Sequence, residues 1–469
     1  MKYFLITYGC QMNWSDSERI AAVLENMGYK QASKIEDADL VVVNMCSVRQ
    51  SAVDRVYGKI INFTKLKAQN SKLKTIITGC ILEKDKKKFA DNFDFAIDIK
   101  DLPKWPKLLT SSVKNLRLLH TEERKNNKYT AYVPIMTGCN NFCAYCVVPY
   151  TRGREISRSV KEIICEIKNL VKNGAKEIWL LGQNVNSYKH NTPPPSSPSK
   201  REISLTPPPP RRGRRGEGVD FPELLKIVND IPGGFWIRFT SPHPKDFSDE
   251  LINTMAKCEK LGEYLNLPVQ AGDNQILKKM NRGYTVSQYE KLVKEIRAKI
   301  PNIALSTDVI VGFPGERKKQ FENTAKLFRK IKYDMAYINK YSPRAGTVAA
   351  KMKDNVSPKE KIRRAKILNE IIMQTALENN KKCIGKTFEV LITAPNIGKT
   401  RSNKTIKINN DIPVGKFVNV KITDALVWGL KGELKNEQQT YSNSGADGFR
   451  EDRPINKTCQ KISGRCCFG

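Results

Sequence analysis

Along the N-terminal part of the chain, apolar residues fall in short β-rich runs separated by stretches with helical spacing. Tyr3–Thr7 predicts a strand, Leu40–Val43 a buried strand and Thr75–Thr78 another. Ser15–Met27 predicts a helix, with Ser15 and Glu18 spaced as a capping box and Gly28 as its stop. This βαβ alternation predicts a parallel sheet flanked by helices. From about Tyr132 a second alternation begins. It predicts strands at Tyr132–Met136, Glu177–Leu181, Trp236–Thr240, Tyr264–Leu267, Ala304–Ile310 and Met335–Asn339. Helical patterns lie between them, such as Val160–Lys172, stopped by Gly174, and Asp249–Lys260. Six βα units predict a partial barrel related to the eight-fold form.

Two stretches break the pattern. Lys189–Gly218 carries eight prolines and a run of arginines from Arg211 to Arg215, which predicts a disordered surface insert. It reads as a tolerated insertion, with an arm that clings to RNA as the alternative. After a basic helical connector at Ser357–Lys382, the segment Thr387–Leu434 turns to alternating strands such as Phe388–Thr393 and Phe417–Ile422. These predict a small β-barrel of the size used for RNA binding. The expected organisation is an α/β multidomain chain: residues 1–118, 125–375 with the insert, 376–435, and a polar tail at 436–469. Cys459, Cys466 and Cys467 lie in that tail and receive no role.

Charge and cysteine usage narrow the chemistry. A formal net charge of +33 over 469 residues points to a polyanionic partner such as nucleic acid, with a basic proteome background as the plain alternative. The N-terminal apolar run is too short for a signal peptide, and no stretch approaches the ~18 apolar residues of a membrane span. The expected compartment is a reducing cytoplasm, where cysteines at regular spacing are metal ligands more often than disulfides. Twelve cysteines but only three histidines, His120, His190 and His243, leave few candidates for mixed sites.

The run Thr137-Gly138-Cys139-Asn140-Asn141-Phe142-Cys143-Ala144-Tyr145-Cys146 has CxxxCxxC spacing just after a predicted strand. A structural zinc asks for four ligands, and here three thiols stand without a nearby histidine. A 4Fe-4S cluster held by three thiolates keeps one iron open for a substrate. Zinc or an inert role stays open at this point. Cys10, Cys46 and Cys80 each follow one of the first three predicted strands. Ligands in open α/β sheets gather at the carboxyl ends of strands, so these three can converge on one point. Each of them taken alone reads as a buried structural cysteine.

The CxxxCxxC loop with Tyr145 resembles the radical S-adenosylmethionine superfamily. The extended run Val147-Val148-Pro149-Tyr150-Thr151-Arg152-Gly153-Arg154-Glu155-Ile156-Ser157-Arg158 resembles its methylthiotransferases. Leu181-Gly182-Gln183-Asn184, Arg238-Phe239-Thr240-Ser241-Pro242-His243-Pro244 and Asp308-Val309-Ile310-Val311-Gly312-Phe313-Pro314-Gly315-Glu316 are similar too. The terminal barrel resembles the TRAM module of these enzymes. Tyr8-Gly9-Cys10-Gln11-Met12-Asn13 and Cys46-Ser47-Val48-Arg49 are similar to the branch that forms 2-methylthio-N(6)-dimethylallyladenosine in tRNA. Departures are Met45, where the family mostly has threonine, and a barrel that looks shortened between Ala394 and Thr405.

The resemblance implies two 4Fe-4S clusters. Cys139, Cys143 and Cys146 would bind one, with S-adenosylmethionine at its open iron, and Cys10, Cys46 and Cys80 an auxiliary one. It implies methylthiolation at carbon 2 of the modified adenosine beside the anticodon of tRNA. An electron-donor protein and a sulfur source are implied as partners, and a monomer with no membrane association is expected. The alternatives are a sibling acting on threonylcarbamoyl-adenosine or on a ribosomal protein, and a non-catalytic zinc-binding RNA-binding protein. Gly182, Gln183 and Asn184 are candidates to face S-adenosylmethionine, or else an ordinary turn. Tyr145 is expected to pack beside the cofactor. Arg152 and Arg154 face cofactor or phosphate, or form a solvated loop. His243 and Gly312–Gly315 read as structural, and Cys165 and Cys258 as core.

Overall fold

The computed structural model describes residues 1–48, 50–109, 129–191 and 218–435. His120, most of the proline-rich insert and the tail with its three cysteines lie outside the described residues.

The N-terminal domain is a five-stranded parallel sheet in the order β2-β1-β3-β4-β5. Its strands are β1 (Lys2–Tyr8), β2 (Lys30–Gln31), β3 (Leu40–Cys46), β4 (Lys74–Cys80) and β5 (Phe95–Ala96). β3 reads as a continuous apolar run because both of its faces are covered. Val41 and Val43 pack with Val56 and Phe63 on one side, and Leu40 and Val42 with Ile20 and Trp105 on the other.

The first helix, α1 (Gln11–Asn26), starts four residues before the expected Ser15. Cys10 is its N-cap, and the Cys10 amide donates to Asn13 Oδ1 at 3.3 Å, which gives the helix an earlier start than the Ser15/Glu18 pair suggests. Ser15 instead faces the next domain and donates to the Tyr132 carbonyl at 3.3 Å. Gly28, at φ +87°, ends the turn as expected.

The central domain holds two parallel three-stranded sheets. One joins β6 (Thr130–Pro134), β7 (Glu177–Leu181) and β8 (Trp236–Phe239). The other joins β9 (Tyr264–Asn266), β10 (Ala304–Val311) and β11 (Met335–Lys340). A parallel bridge between Ile237 and Leu261 links them, so six strands curve into a partial barrel. Ser159 caps the helix Val160–Lys172 by accepting from the Glu162 amide. The helix predicted to reach Lys260 ends at Lys257, where Cys258 turns extended. The proline-rich insert is narrower than its composition suggests: Lys189–Asn191 pairs antiparallel with Gly218–Asp220 at its base.

The helix Pro358–Lys381 leads into a closed barrel of β12 (Thr387–Ala394), β13 (Ile397–Thr400), β14 (Thr405–Ile408), β15 (Phe417–Leu426) and β16 (Gly429–Leu434). The stretch that looks shortened still carries β13, and the barrel closes around Val390, Ile406, Val420 and Leu430. No described helix is long and apolar enough to cross a membrane.

Candidate active site

β3 and β4 run in register to their last residues, so Cys46 and Cys80 stand side by side at one edge. Cys10, the N-cap of α1, packs with Met12 and lines one cavity with Cys46 and Cys80. Buried amides hold this corner. Asn13 Nδ2 donates to Asn44 Oδ1 at 3.1 Å, and Asn44 Nδ2 donates to Ser17 Oγ at 2.9 Å. Gly79, at φ +113°, allows the close approach, because a Cβ there would lie 2.2 Å from the Met45 carbonyl. The hydrogen bond with Cys46, then burial, push the Cys80 thiol up, while Arg152 works against both.

The second set lies on a loop pinched at its base, where Met136–Thr137 pairs antiparallel with Ile156–Ser157. Gly138 takes φ +83° and Phe142 φ +46°, which turns the chain tightly around the cysteines. The Cys139 amide donates to the Gly153 carbonyl at 3.2 Å, and the Cys146 amide to the Cys143 carbonyl at 2.9 Å. Burial pushes the Cys139 thiol up and the Cys146 thiol up to about 12. Burial likewise keeps the Tyr145 phenol protonated.

Arg282 is the cation of this site. It is 5% exposed and donates to Cys143 Sγ at 3.3 Å, Tyr145 Oη at 3.4 Å and the Pro268 carbonyl at 3.1 Å. No carboxylate forms an ion pair with it among the described residues. A buried guanidinium without an anion is costly, so the thiolates of a bound cluster are the natural counter-charge. Three thiols on one loop, with a buried cation against Cys143, fit a 4Fe-4S cluster in that respect. Among the described residues no three His, Cys, Asp or Glu side chains gather closely enough for a single metal ion. A cluster binds each thiolate to its own iron and asks for a wider set.

The strand-end residues divide their work. Gln183 Oε1 accepts from the Gly138 amide at 2.6 Å and so braces the cysteine loop. Gly182 lets β7 close on Met136, since a Cβ would lie 2.7 Å from Met136 Cγ. Asn184 is buried and its Nδ2 donates to Asp246 at 2.8 Å, with the side-chain Oδ1 unpartnered among the described residues. His243 accepts from the Lys245 amide, as a structural residue does.

A cavity of about 710 Å³ joins the three domains. Cys10, Cys46 and Cys80 line it from the N-terminal domain, Arg152, Gly182, Gln183 and Ser241 from the central domain, and Lys399 and Asn403 from the terminal barrel. Cys139, Cys143 and Cys146 lie outside its lining, linked to it through Gln183 and Gly138. Arg282, Lys399 and Asn403 escape the sequence reading, because no local spacing ties them to either cysteine set.

The chain matches the Radical SAM superfamily over residues 133–328, the Uncharacterized protein family UPF0004 over 2–99 and the TRAM domain over 381–435. It is 41% identical to the tRNA-2-methylthio-N(6)-dimethylallyladenosine synthase of Carboxydothermus hydrogenoformans, covering 92% of this chain and 99% of that one. It is also 41% identical to the synthase of that name from Clostridium botulinum (strain Langeland), covering 92% and 96%. Among solved structures it is similar to the radical S-adenosylmethionine methyltransferase TsrM from Kitasatospora setae. The TM-score is 0.53 at 13% identity, over 84% of this chain and 80% of that one, a likeness of fold alone. At the identity and coverage of its sequence relatives, the chain belongs to the radical S-adenosylmethionine methylthiotransferases, in the family of tRNA-2-methylthio-N(6)-dimethylallyladenosine synthases.

Proposed function

We propose that this protein methylthiolates carbon 2 of N(6)-dimethylallyladenosine beside the anticodon of tRNA. One observation carries the reading: a single cavity is lined by the cysteine corner of the N-terminal domain, the strand ends of the radical barrel and residues of the terminal barrel. When bound, two 4Fe-4S clusters and S-adenosylmethionine supply a hydrogen-abstracting radical and a methylated sulfur. An aromatic C–H offers no useful acidity to a general base, so the chain's work is to hold, orient and exclude water.

Cys139, Cys143 and Cys146 hold the cluster with the open iron, and Arg282 offsets its charge. Gln183 keeps that loop against the barrel. Cys10, Cys46 and Cys80, which line the cavity, would hold the auxiliary cluster. Tyr145 packs behind the cysteine loop, its protonated phenol accepting from Arg282. Exposed Lys407, Lys416 and Lys421 on the terminal barrel meet the RNA backbone, in keeping with the net charge of +33. A tRNA substrate sets the reaction in the cytoplasm, supplied by an electron-donor protein and a sulfur source. One chain builds the whole cavity, so a monomer suffices.

Mass spectrometry of tRNA nucleosides from cells with and without the gene tests the substrate. The 2-methylthio derivative of N(6)-dimethylallyladenosine is expected to vanish on deletion. Unchanged content, or loss of a different modified nucleoside, refutes the assignment. Anaerobic reconstitution with iron and sulfide tests the cofactors, with two clusters per chain expected. Binding of zinc in place of iron and sulfide would favour the non-catalytic reading.

A further inference from the structure

Arg152 physically joins the two cysteine-bearing domains. It follows the short helix Val148–Thr151, just past Cys146, and its guanidinium crosses into the N-terminal domain. There Nη2 donates to Asp16 Oδ2 at 2.6 Å and Nε donates to Cys80 Sγ at 2.9 Å. The Arg152 and Asp16 side chains are 6% and 2% exposed, so neither is a solvated surface group. Asp16 sits on α1, the helix whose N-cap is Cys10, so the contact touches two of the three elements that carry this cysteine set.

A cation that donates a hydrogen bond to a cluster thiolate draws electron density from the sulfur and stabilises the more negative, reduced cluster. Asp16 fixes the direction of the guanidinium and offsets part of its charge. The contrast with Arg282 is informative: that guanidinium faces Cys143 without any carboxylate partner among the described residues. The two cysteine sets therefore meet cations of different effective strength. Two clusters in one chain share an electron supply, and the difference between their potentials decides where an electron rests.

We infer that Arg152, aimed by Asp16, is a positioning residue that sets the reduction potential of the cluster held by Cys10, Cys46 and Cys80. This rests on the reading that those three cysteines hold a cluster.

The experiment uses the full chain in a Cys139→Ala, Cys143→Ala, Cys146→Ala background, so that one cluster remains. The protein is reconstituted anaerobically with iron and sulfide and titrated electrochemically with an electron paramagnetic resonance readout. Arg152→Gln is expected to shift the potential to more negative values and Asp16→Asn to more positive ones. Opposite signs are a signature that loosened packing does not produce. Arg152→Lys keeps a cationic donor and is expected to load iron with a potential near the parent's. If the background protein takes up no cluster, the cluster reading fails and the inference with it. If the variants load iron and their potentials match the parent's, Arg152 does not tune the cluster and the inference alone is overturned. Equal failure of Arg152→Gln and Arg152→Lys to load iron assigns Arg152 a purely structural role and overturns it as well.

Discussion

The guanidinium of Arg282 lies 3.3 Å from Cys143 Sγ, although 139 residues separate the two in the chain. Its other acceptors are neutral: the hydroxyls of Tyr145 and Tyr284 and the Pro268 carbonyl. In the cluster-free protein this charge is buried without an anion, a state that costs several kcal/mol. Arg282→Met is therefore expected to leave the apoprotein as stable as the parent, or more stable by about 1–3 kcal/mol. The same variant is expected to retain less iron, because the cluster loses its counter-charge. Anaerobic urea unfolding of the apoprotein, with iron counted after reconstitution, checks both halves. A variant that destabilises the apoprotein while binding iron normally would show that Arg282 acts only in packing.

Gly138 carries a second expectation. Its φ of +83° and the absence of a side chain let the loop fold back, since a Cβ would lie 2.0 Å from the Arg154 carbonyl oxygen. The contact is with backbone, which has little freedom to yield, and the left-handed conformation itself disfavours alanine. Gly138→Ala is expected to displace Cys139 from its bond with Gly153 and to abolish loading of the first cluster. Loading of the N-terminal cysteines should be intact. Iron content near half of the parent's, with the S-adenosylmethionine-dependent spectral change lost, is the expected result. Full iron content with that change retained would contradict the geometry.

Much of the architecture is legible in the sequence because it rests on periodicity. The run at Leu40 is apolar on both faces, as a strand covered on both sides must be, and Gly28 and Gly174 stop helices at positive φ. Cys46 and Cys80 end adjacent strands in register, which the strand-end spacing anticipates. Cys10 differs: it caps a helix instead of closing a strand, and the true start of α1 is masked by the better-looking Ser15/Glu18 pair. Contacts between distant segments leave no local trace. Nothing around Arg282 or Lys399 signals that one faces a cysteine loop and the other a cavity in a different domain. Arg282 becomes visible only once the central domain is folded, and Lys399 only once the terminal barrel is docked on it.

A buried pair helps to dock the terminal barrel, beside the Lys404–Asp334 ion pair and the Trp236–Phe417 ring contact. Arg238 Nε donates to Glu177 Oε1 at 2.6 Å, with the two side chains 0% and 3% exposed. The remaining nitrogens of Arg238 donate to the Thr400 and Arg401 carbonyls at 2.9 Å and 2.7 Å, so one guanidinium ties β7 and β8 to the β13–β14 turn. Burial works against ionisation of Glu177, and Arg238 outweighs it and holds the carboxyl below its usual range. Glu177→Gln leaves the guanidinium buried and short of its anion, which is expected to cost about 3–5 kcal/mol. Calorimetry of the apoprotein should show the loss, together with proteolytic release of the terminal barrel before the central domain melts. A variant whose barrel remains docked, with a melting point like the parent's, would remove this pair from the account.

His243 sets an acid limit on stability. Burial, then the charge of Arg282, push its imidazole down to about 3, while Asp246 works in the opposite direction. Nδ1 accepts from the Lys245 amide at 3.2 Å, and Nε2 is buried with no hydrogen-bond partner among the described residues, so the folded site holds the neutral ring. An unfolded histidine titrates near ~6.5. Between that value and about 3 the unfolded chain binds a proton that the folded chain refuses. The contribution of the neutral ring is therefore whole above pH ~6.5 and is lost as the pH falls below it, by about 2 kcal/mol at pH ~5. His243→Asn keeps an acceptor for the Lys245 amide and removes the titration. Urea midpoints of the apoprotein, measured from neutral pH down to pH ~5, should fall more steeply for the parent than for His243→Asn. Parallel pH profiles would mean that the folded site accepts the proton after all.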